Sequence, residues 1–242
     1  MNELKILYSD QNLAVLDKPA GILIHPVPNK KEVTLVDLIT KKWPEIKKYS
    51  WPDPARPGIV HRLDKDTSGL ILIAKNPESL NFLQNQFKNH QITKEYLALC
   101  FGRTPDKGTI ETYTSHDHKK YVQQKISLLK LSWKKNQKKA VTFYETKSYY
   151  NYKNHVLSLL KLRIVTGRTH QIRNHLKFLG YPIIGDSDYN TKESKIISDS
   201  LNAKRQLLHS ANIEFALLDN RKKKITSELP NDFSEILNKL EE

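Results

Sequence analysis

The chain has 242 residues, 38% of them hydrophobic, which suffices for one good-sized core or two closely joined subdomains. Its 40 Lys and Arg against 26 Asp and Glu give a formal net charge of +14, so a polyanionic partner is expected; the basic residues are spread along the chain and not gathered on one amphipathic helix, which favours nucleic acid over an anionic membrane surface. The single cysteine, Cys100, excludes an internal disulfide framework and suits a reducing cytosol, and no stretch has the character of a signal region or a membrane span.

In chain order, Ile6 to Tyr8 and Leu13 to Leu16 read as short strands around the polar turn Ser9 to Asn12. The second enters Asp17-Lys18-Pro19-Ala20-Gly21, where Pro19 stops the strand and Gly21 permits an unusual backbone angle, so a fixed turn is expected. Thr34 to Trp43 reads as a helix with Leu35, Leu38 and Ile39 on one face and Pro44 as its stop. The proline-rich stretch from Lys47 to Gly58 reads as loop. It delivers Ile59-Val60 into His61-Arg62-Leu63-Asp64-Lys65-Asp66-Thr67-Ser68-Gly69-Leu70. That charged loop runs directly into the apolar segment Leu70 to Ala74, the pattern of a strand buried on both faces. A loop anchored by such a strand is held by the core yet can open onto a cleft. Taken alone it reads more readily as a surface turn with ion pairs.

Asn76-Pro77-Glu78 is a helix start, with an N-cap, Pro at the first helical position and an acid in the first turn. Leu80, Leu83 and Phe87 share a face, the end is expected near Asn89-His90, and Lys94 to Phe101 reads as a strand. Within it Cys100 is expected to be a small core residue and not a nucleophile. Residues Thr104 to Lys139 carry the weakest pattern. Thr114-Ser115-His116-Asp117-His118 could suggest metal, but a polar loop is expected because no further ligand cluster has a recognisable spacing. Trp133 to Lys139 reads as a lysine-rich hairpin tip. Leu160, Leu162 and Ile164 alternate with polar residues as a half-buried strand leading into Thr166-Gly167-Arg168. From Thr169 a helix is expected, with Ile172, Leu176 and Leu179 apolar and Gly180 ending it. Tyr181 to Asp186 returns to the core, Lys192 to Asn202 reads as loose and polar, and Gln206 to His209 and Ile213 to Leu218 read as strand. Phe233, Ile236, Leu237 and Leu240 mark a last amphipathic helix.

Five blocks carry a resemblance, in one order: Asp17 to Gly21, His61 to Asp64 with Thr67 to Leu70, Lys94 to Ala98, Thr166 to Arg173, and Arg205 to Ser210. Together they resemble the RluA-type RNA pseudouridine synthases. The resemblance implies an α+β catalytic fold with a mixed, largely antiparallel sheet, flanking helices and a central basic cleft. Because the family's pattern starts almost at Met1, one catalytic domain over 1–242 is expected, without the small RNA-binding module that many relatives carry ahead of it. Two departures stand out: the hairpin tip at 133–139 lacks the family's usual glycine, and Asn174 stands where an apolar residue is expected.

The implied reaction converts uridine to pseudouridine in ribosomal or transfer RNA: the C1′–N1 bond breaks, the base turns, and C5 joins C1′. It needs no cofactor, redox step or metal. Asp64 matches the family's catalytic aspartate, as nucleophile or as base; Asp66 is its rival by chemistry alone. Arg168 matches the basic partner that keeps the aspartate ionised in a dry cleft, with Arg173 as the local alternative or as a surface or phosphate contact. Tyr96 matches the tyrosine set against the flipped target base, and Leu208 the aliphatic residue on its other side. Arg62 matches a position that in some relatives enters the RNA stack. His61 and Thr67 fall within the same motif, and His61, His170 and His209 are expected to make orienting hydrogen bonds. A cytoplasmic monomer without an obligate protein partner is expected. The competing readings are a non-catalytic RNA-binding protein on the same fold, a metal-dependent phosphodiesterase and a basic structural protein of a ribonucleoprotein particle.

Overall fold

The computed structural model describes residues 4–27, 32–116, 124–128 and 137–241. Its elements run β1 (Lys5–Ser9), β2 (Leu13–Lys18), α1 (Leu35–Lys42), a 3-10 turn (Pro44–Lys48), β3 (Ser68–Ala74), α2 (Pro77–Lys88), β4 (Thr93–Phe101), β5 (Lys107–His116), β6 (Gln124–Ser127), β7 (Lys138–Tyr152), β8 (His155–Ile164), α3 (Gln171–Phe178), α4 (Lys192–Ser200), β9 (Leu208–Ala216), β10 (Lys222–Thr226) and α5 (Asn231–Glu241). They fall into two compact units, Met1–Lys94 with Ser210–Glu228, and Glu95–His209 with Leu229–Glu242.

In the first unit the strand order is β1-β2-β3-β9, with β10 paired to β9. Asp10 shapes the first hairpin: its Oδ1 accepts from the N–H groups of Asn12 and Leu13 at 2.8 and 2.9 Å. β2 pairs antiparallel with β3, from Leu13 opposite Ala74 to Lys18 opposite Gly69. All seven residues of β3 are buried, as the unbroken apolar run requires. Gly69, at φ +106°, brings its backbone against Ser210 so closely that a Cβ would collide with it. α1 starts at a capping box between Thr34 and Asp37 and buries Leu35, Val36 and Ile39. α2 starts at a second box, Asn76 with Ser79, and ends at Asn89. Its Gln86 amide closes onto the Ala216 backbone, donating to the carbonyl at 2.9 Å and accepting from the N–H at 2.8 Å.

In the second unit β4, β8, β7, β5 and β6 follow one another, and the pairs β4–β8, β8–β7, β7–β5 and β5–β6 are all antiparallel. Leu99, Leu157, Ile184, Ile197, Leu207 and Phe233 are among the residues of its core. Cys100 is fully buried there, and burial pushes its thiol pKa up, so it packs as a small apolar residue. α5 closes this core with Phe233, Ile236, Leu237 and Leu240, the stripe read from the sequence.

Four expectations need correction. Lys192–Ser200 is helix, not loose chain: Thr191 and Ser194 form a capping box, and Ile197 and Leu201, one turn apart, enter the core. Thr114 to His116 are the end of β5, not loop. Asp117 and His118 lie outside the described residues, as do residues 133–136 of the expected hairpin tip. Gln206 to His209 and Ile213 to Leu218 are strand with other bounds: one strand, Leu208–Ala216, starts two residues later, ends two sooner and includes the residues between. The helix expected from Thr169 begins at Gln171, because His170 takes φ +51° and breaks the helical path there. Its other end follows the sequence: Gly180, at φ +87°, sends its N–H to Lys177 O at 3.1 Å while Tyr181 N–H reaches Leu176 O at 2.9 Å.

Candidate active site

The first unit carries the loop with His61, Arg62, Asp64 and Thr67. The loop turns tightly, with Thr67 N–H donating to Asp64 O at 3.2 Å, and Thr67 is buried where it meets β3. Asp64 is half-buried and Arg62 exposed. What fixes the loop is Lys18, to which sequence reasoning assigned no chemistry. It is fully buried, and its ammonium donates to the carbonyls of Pro19, Ile22 and Lys65 at 2.8, 3.2 and 2.8 Å. Lys65 O also accepts from Gly21 N–H at 3.0 Å, so the turn at 17–21 grips the residue next to Asp64. Gly21 holds φ +85°, the conformation expected of it. The signal available in the sequence was the Lys-Pro pair at the end of a buried strand, where an ammonium would have to find acceptors.

His61 is oriented by the strand it precedes: its Nε2 accepts from Leu72 N–H at 3.0 Å. Burial, reinforced by the charge of Lys94, holds its pKa well below the usual histidine range, which keeps the ring neutral and Nε2 an acceptor. Lys94 is itself buried and its ammonium is pushed down to about 8; it lies 5.0 Å from the centre of the Phe87 ring, which in turn stands 5.0 Å from the His61 ring.

The second unit carries Tyr96, Arg168 and Leu208. Tyr96 on β4 is buried opposite Leu162 of β8, and Leu208, also buried, opens β9. Arg168 is half-buried, with Nε donating to Lys139 O at 3.1 Å. Its turn is held by Gln171, whose amide capacity is filled: Oε1 accepts from Thr166 Oγ1 at 2.7 Å and Arg168 N–H at 3.0 Å, while Nε2 donates to Val141 O and Thr142 Oγ1, both at 3.0 Å. One helical turn on, His175 lies between Thr142 Oγ1 (3.0 Å to Nδ1) and Thr112 Oγ1 (2.8 Å to Nε2). Burial lowers its pKa to about 4, so the ring is neutral at neutral pH. Sequence reasoning missed this relay. Its trace in the sequence is a pair of polar residues four apart, Gln171 and His175, on the helix whose apolar face reads as Ile172, Leu176 and Leu179.

Arg173 is not at the surface. It is 4% exposed; Nε and Nη2 grip Asp186 at 2.7 and 2.8 Å, and Nη2 reaches Asp188 at 2.7 Å. A paired, desolvated guanidinium of this kind ties α3 to the segment at 186–189. Asn174, the departure beside it, is buried as well. His170 Nδ1 lies 3.3 Å from Tyr189 Oη, and His209 is buried. No group of three or more His, Cys, Asp or Glu suited to a metal ion occurs among the described residues.

Residues 12–178 match the family described as RNA pseudouridylate synthase, and the chain belongs to that family. It is 38% identical over 229 residues to the ribosomal large subunit pseudouridine synthase D of Borreliella burgdorferi, an overlap of 94% of this chain and 66% of that protein. The chain therefore spans just under two thirds of that relative. A protein of the same description from Buchnera aphidicola subsp. Acyrthosiphon pisum is 33% identical over 247 residues, 98% of this chain and 73% of that one. The fold is shared with the solved human RNA pseudouridylate synthase domain containing 4, at TM-score 0.73 and 23% identity over 98% of this chain and 93% of that one.

Proposed function

We propose that this chain isomerises uridine to pseudouridine in structured RNA, with ribosomal RNA of the large subunit as the first substrate to test. The observation that carries the reading is the family match over 12–178 together with a chemically complete motif at Asp64. The Borreliella and Buchnera relatives, both ribosomal large subunit pseudouridine synthases D, support the choice of substrate. Asp64 is the catalytic carboxylate. It attacks the sugar or takes a ribose proton, the C1′–N1 bond breaks, the freed base turns, C5 bonds to C1′, and the C5 proton is lost as N1 regains one. Arg168 keeps the carboxylate ionised against the cost of leaving water. The base must leave its stack to be reached. Tyr96 and Leu208 hold its two sides, while Arg62, His61 and Thr67 serve the RNA strand around it. The chain acts as one catalytic domain, a cytoplasmic monomer that needs no obligate protein partner. Among the described residues no helix is long and apolar enough to cross a membrane.

The test maps pseudouridine in ribosomal and transfer RNA from cells with and without the gene. Signal at particular uridines should vanish without it and return with wild type but not with Asp64→Asn. Asp64→Asn should lower turnover by about a thousandfold or more while RNA affinity stays near wild type. Substantial turnover by this variant would remove Asp64 from its role.

A further inference from the structure

Beside the Asp64 loop, within the first unit, a groove of about 260 Å³ is walled by Pro52, Ile59 and Val60 and bears His25, Arg56 and Arg62. Arg56 is held in place by a turn built on Asp53, which accepts from Ala55 N–H through Oδ1 and from Arg56 N–H through its carbonyl, both at 3.0 Å. Arg56 Nε stands 3.3 Å from Asp53 Oδ2. Gly58, at φ +72°, lets the segment pass so close to β3 that a Cβ would sit 2.5 Å from Ala74 O. His25 Nδ1 is buried there without a hydrogen-bond partner. Desolvation, and then the charges of Arg56 and Arg62, lower the pKa of His25.

We infer that this groove binds one phosphodiester of the RNA strand, with Arg56 and Arg62 as the charged partners and His25 as a hydrogen-bonding third. The charge balance fits that ligand. Two guanidiniums against the Asp53 carboxylate leave one net positive charge, matched by the single negative charge of an internal phosphodiester. A nucleobase is read by donors and acceptors in an edge pattern, whereas two guanidiniums in one lining suit the oxygens of a phosphate. Arg62 is two residues from Asp64 in the chain, so a phosphate held here belongs to the strand near the reacting uridine. The inference rests on the proposed action on RNA for the identity of the strand.

The test titrates a short uridine-containing RNA hairpin into protein carrying Asp64→Asn, at several KCl concentrations. Adding Arg56→Gln should weaken binding about tenfold and reduce the slope of log affinity against log salt by about one. Arg56→Lys should keep the slope, because the charge remains. His25→Gln should weaken binding severalfold with the slope kept. Parent-like affinity and slope in both Arg56→Gln and His25→Gln, in variants that melt with the parent, would overturn the inference. Since binding is read without turnover, absence of pseudouridine formation by the wild-type chain would count against the enzyme reading and leave this result to stand on its own.

Discussion

Two loops hold Asp64 and Arg168, the charged pair proposed for the chemistry, and they are held in opposite ways. The Asp64 loop hangs on one buried charge, the Lys18 ammonium, which gathers three backbone carbonyls including that of Lys65. The Arg168 turn hangs on neutral groups, the Gln171 amide and beyond it Thr142, His175 and Thr112. A buried ammonium is a single point of failure, because three carbonyls lose the same donor when it goes, and of these Lys65 O keeps Gly21 N–H. A neutral relay spreads its bonds over several residues and is sensitive to acid, since burial makes a charged imidazolium costly at His175. The carboxylate loop thus has the stronger anchor and the arginine turn the more adjustable one.

Removing Lys18 should break the comparison hardest. Lys18→Met takes the shared donor from the Pro19, Ile22 and Lys65 carbonyls and should cost about 4 kcal/mol of stability, read by urea unfolding, with turnover falling as the Asp64 loop loosens. A loss under about 1 kcal/mol would mean that other contacts hold the loop. Acid should find the second anchor. The folded-state pKa of His175, about 4, lies below the ordinary 6.5, so the unfolded chain binds the proton first. Stability should therefore fall as pH drops from about 6.5 to about 4, by up to about 3 kcal/mol, and show no such loss above that window. Unfolding measured across this range should lose that part of its slope in His175→Gln.

Gln171→Leu sharpens the comparison further. It leaves the Arg168 and Val141 backbone groups without their side-chain partners and should cost about 2 kcal/mol. Turnover should fall about tenfold or more with RNA affinity little changed, because the residue positions Arg168 and is not proposed to touch RNA. Equal losses in affinity and turnover would place Gln171 in binding instead. The smallest effect is expected at Tyr96→Phe, which keeps the ring and removes only the hydroxyl; RNA affinity, followed by filter binding, should stay within about threefold. Complete loss of binding would contradict a stacking role for the ring.

Much of the first unit is legible in the amino-acid order because its determinants are local. Capping residues such as Asn76 with Pro77 act within one helical turn, and five apolar residues in a row, Leu70 to Ala74, admit few structures but a doubly covered strand. The ordered blocks from Asp17 to Ser210 were also enough to identify the family, since each is a contiguous string whose residue types can be compared directly. Even the misread helix at 192–200 had a local cue, the Thr191–Ser194 box, hidden by a polar composition that looked loose.

Only the tertiary structure decided what those strings lean on. Lys18 and Lys65 are far apart in sequence, and no periodicity says that one's ammonium meets the other's carbonyl. The same holds for Thr112 and His175, and for the burial of Arg173 against Asp186, which turned a candidate surface contact into an internal brace. A hydrogen bond between distant residues depends on how strands register and which faces are covered, and that information is carried by the whole fold and not by any window of the chain.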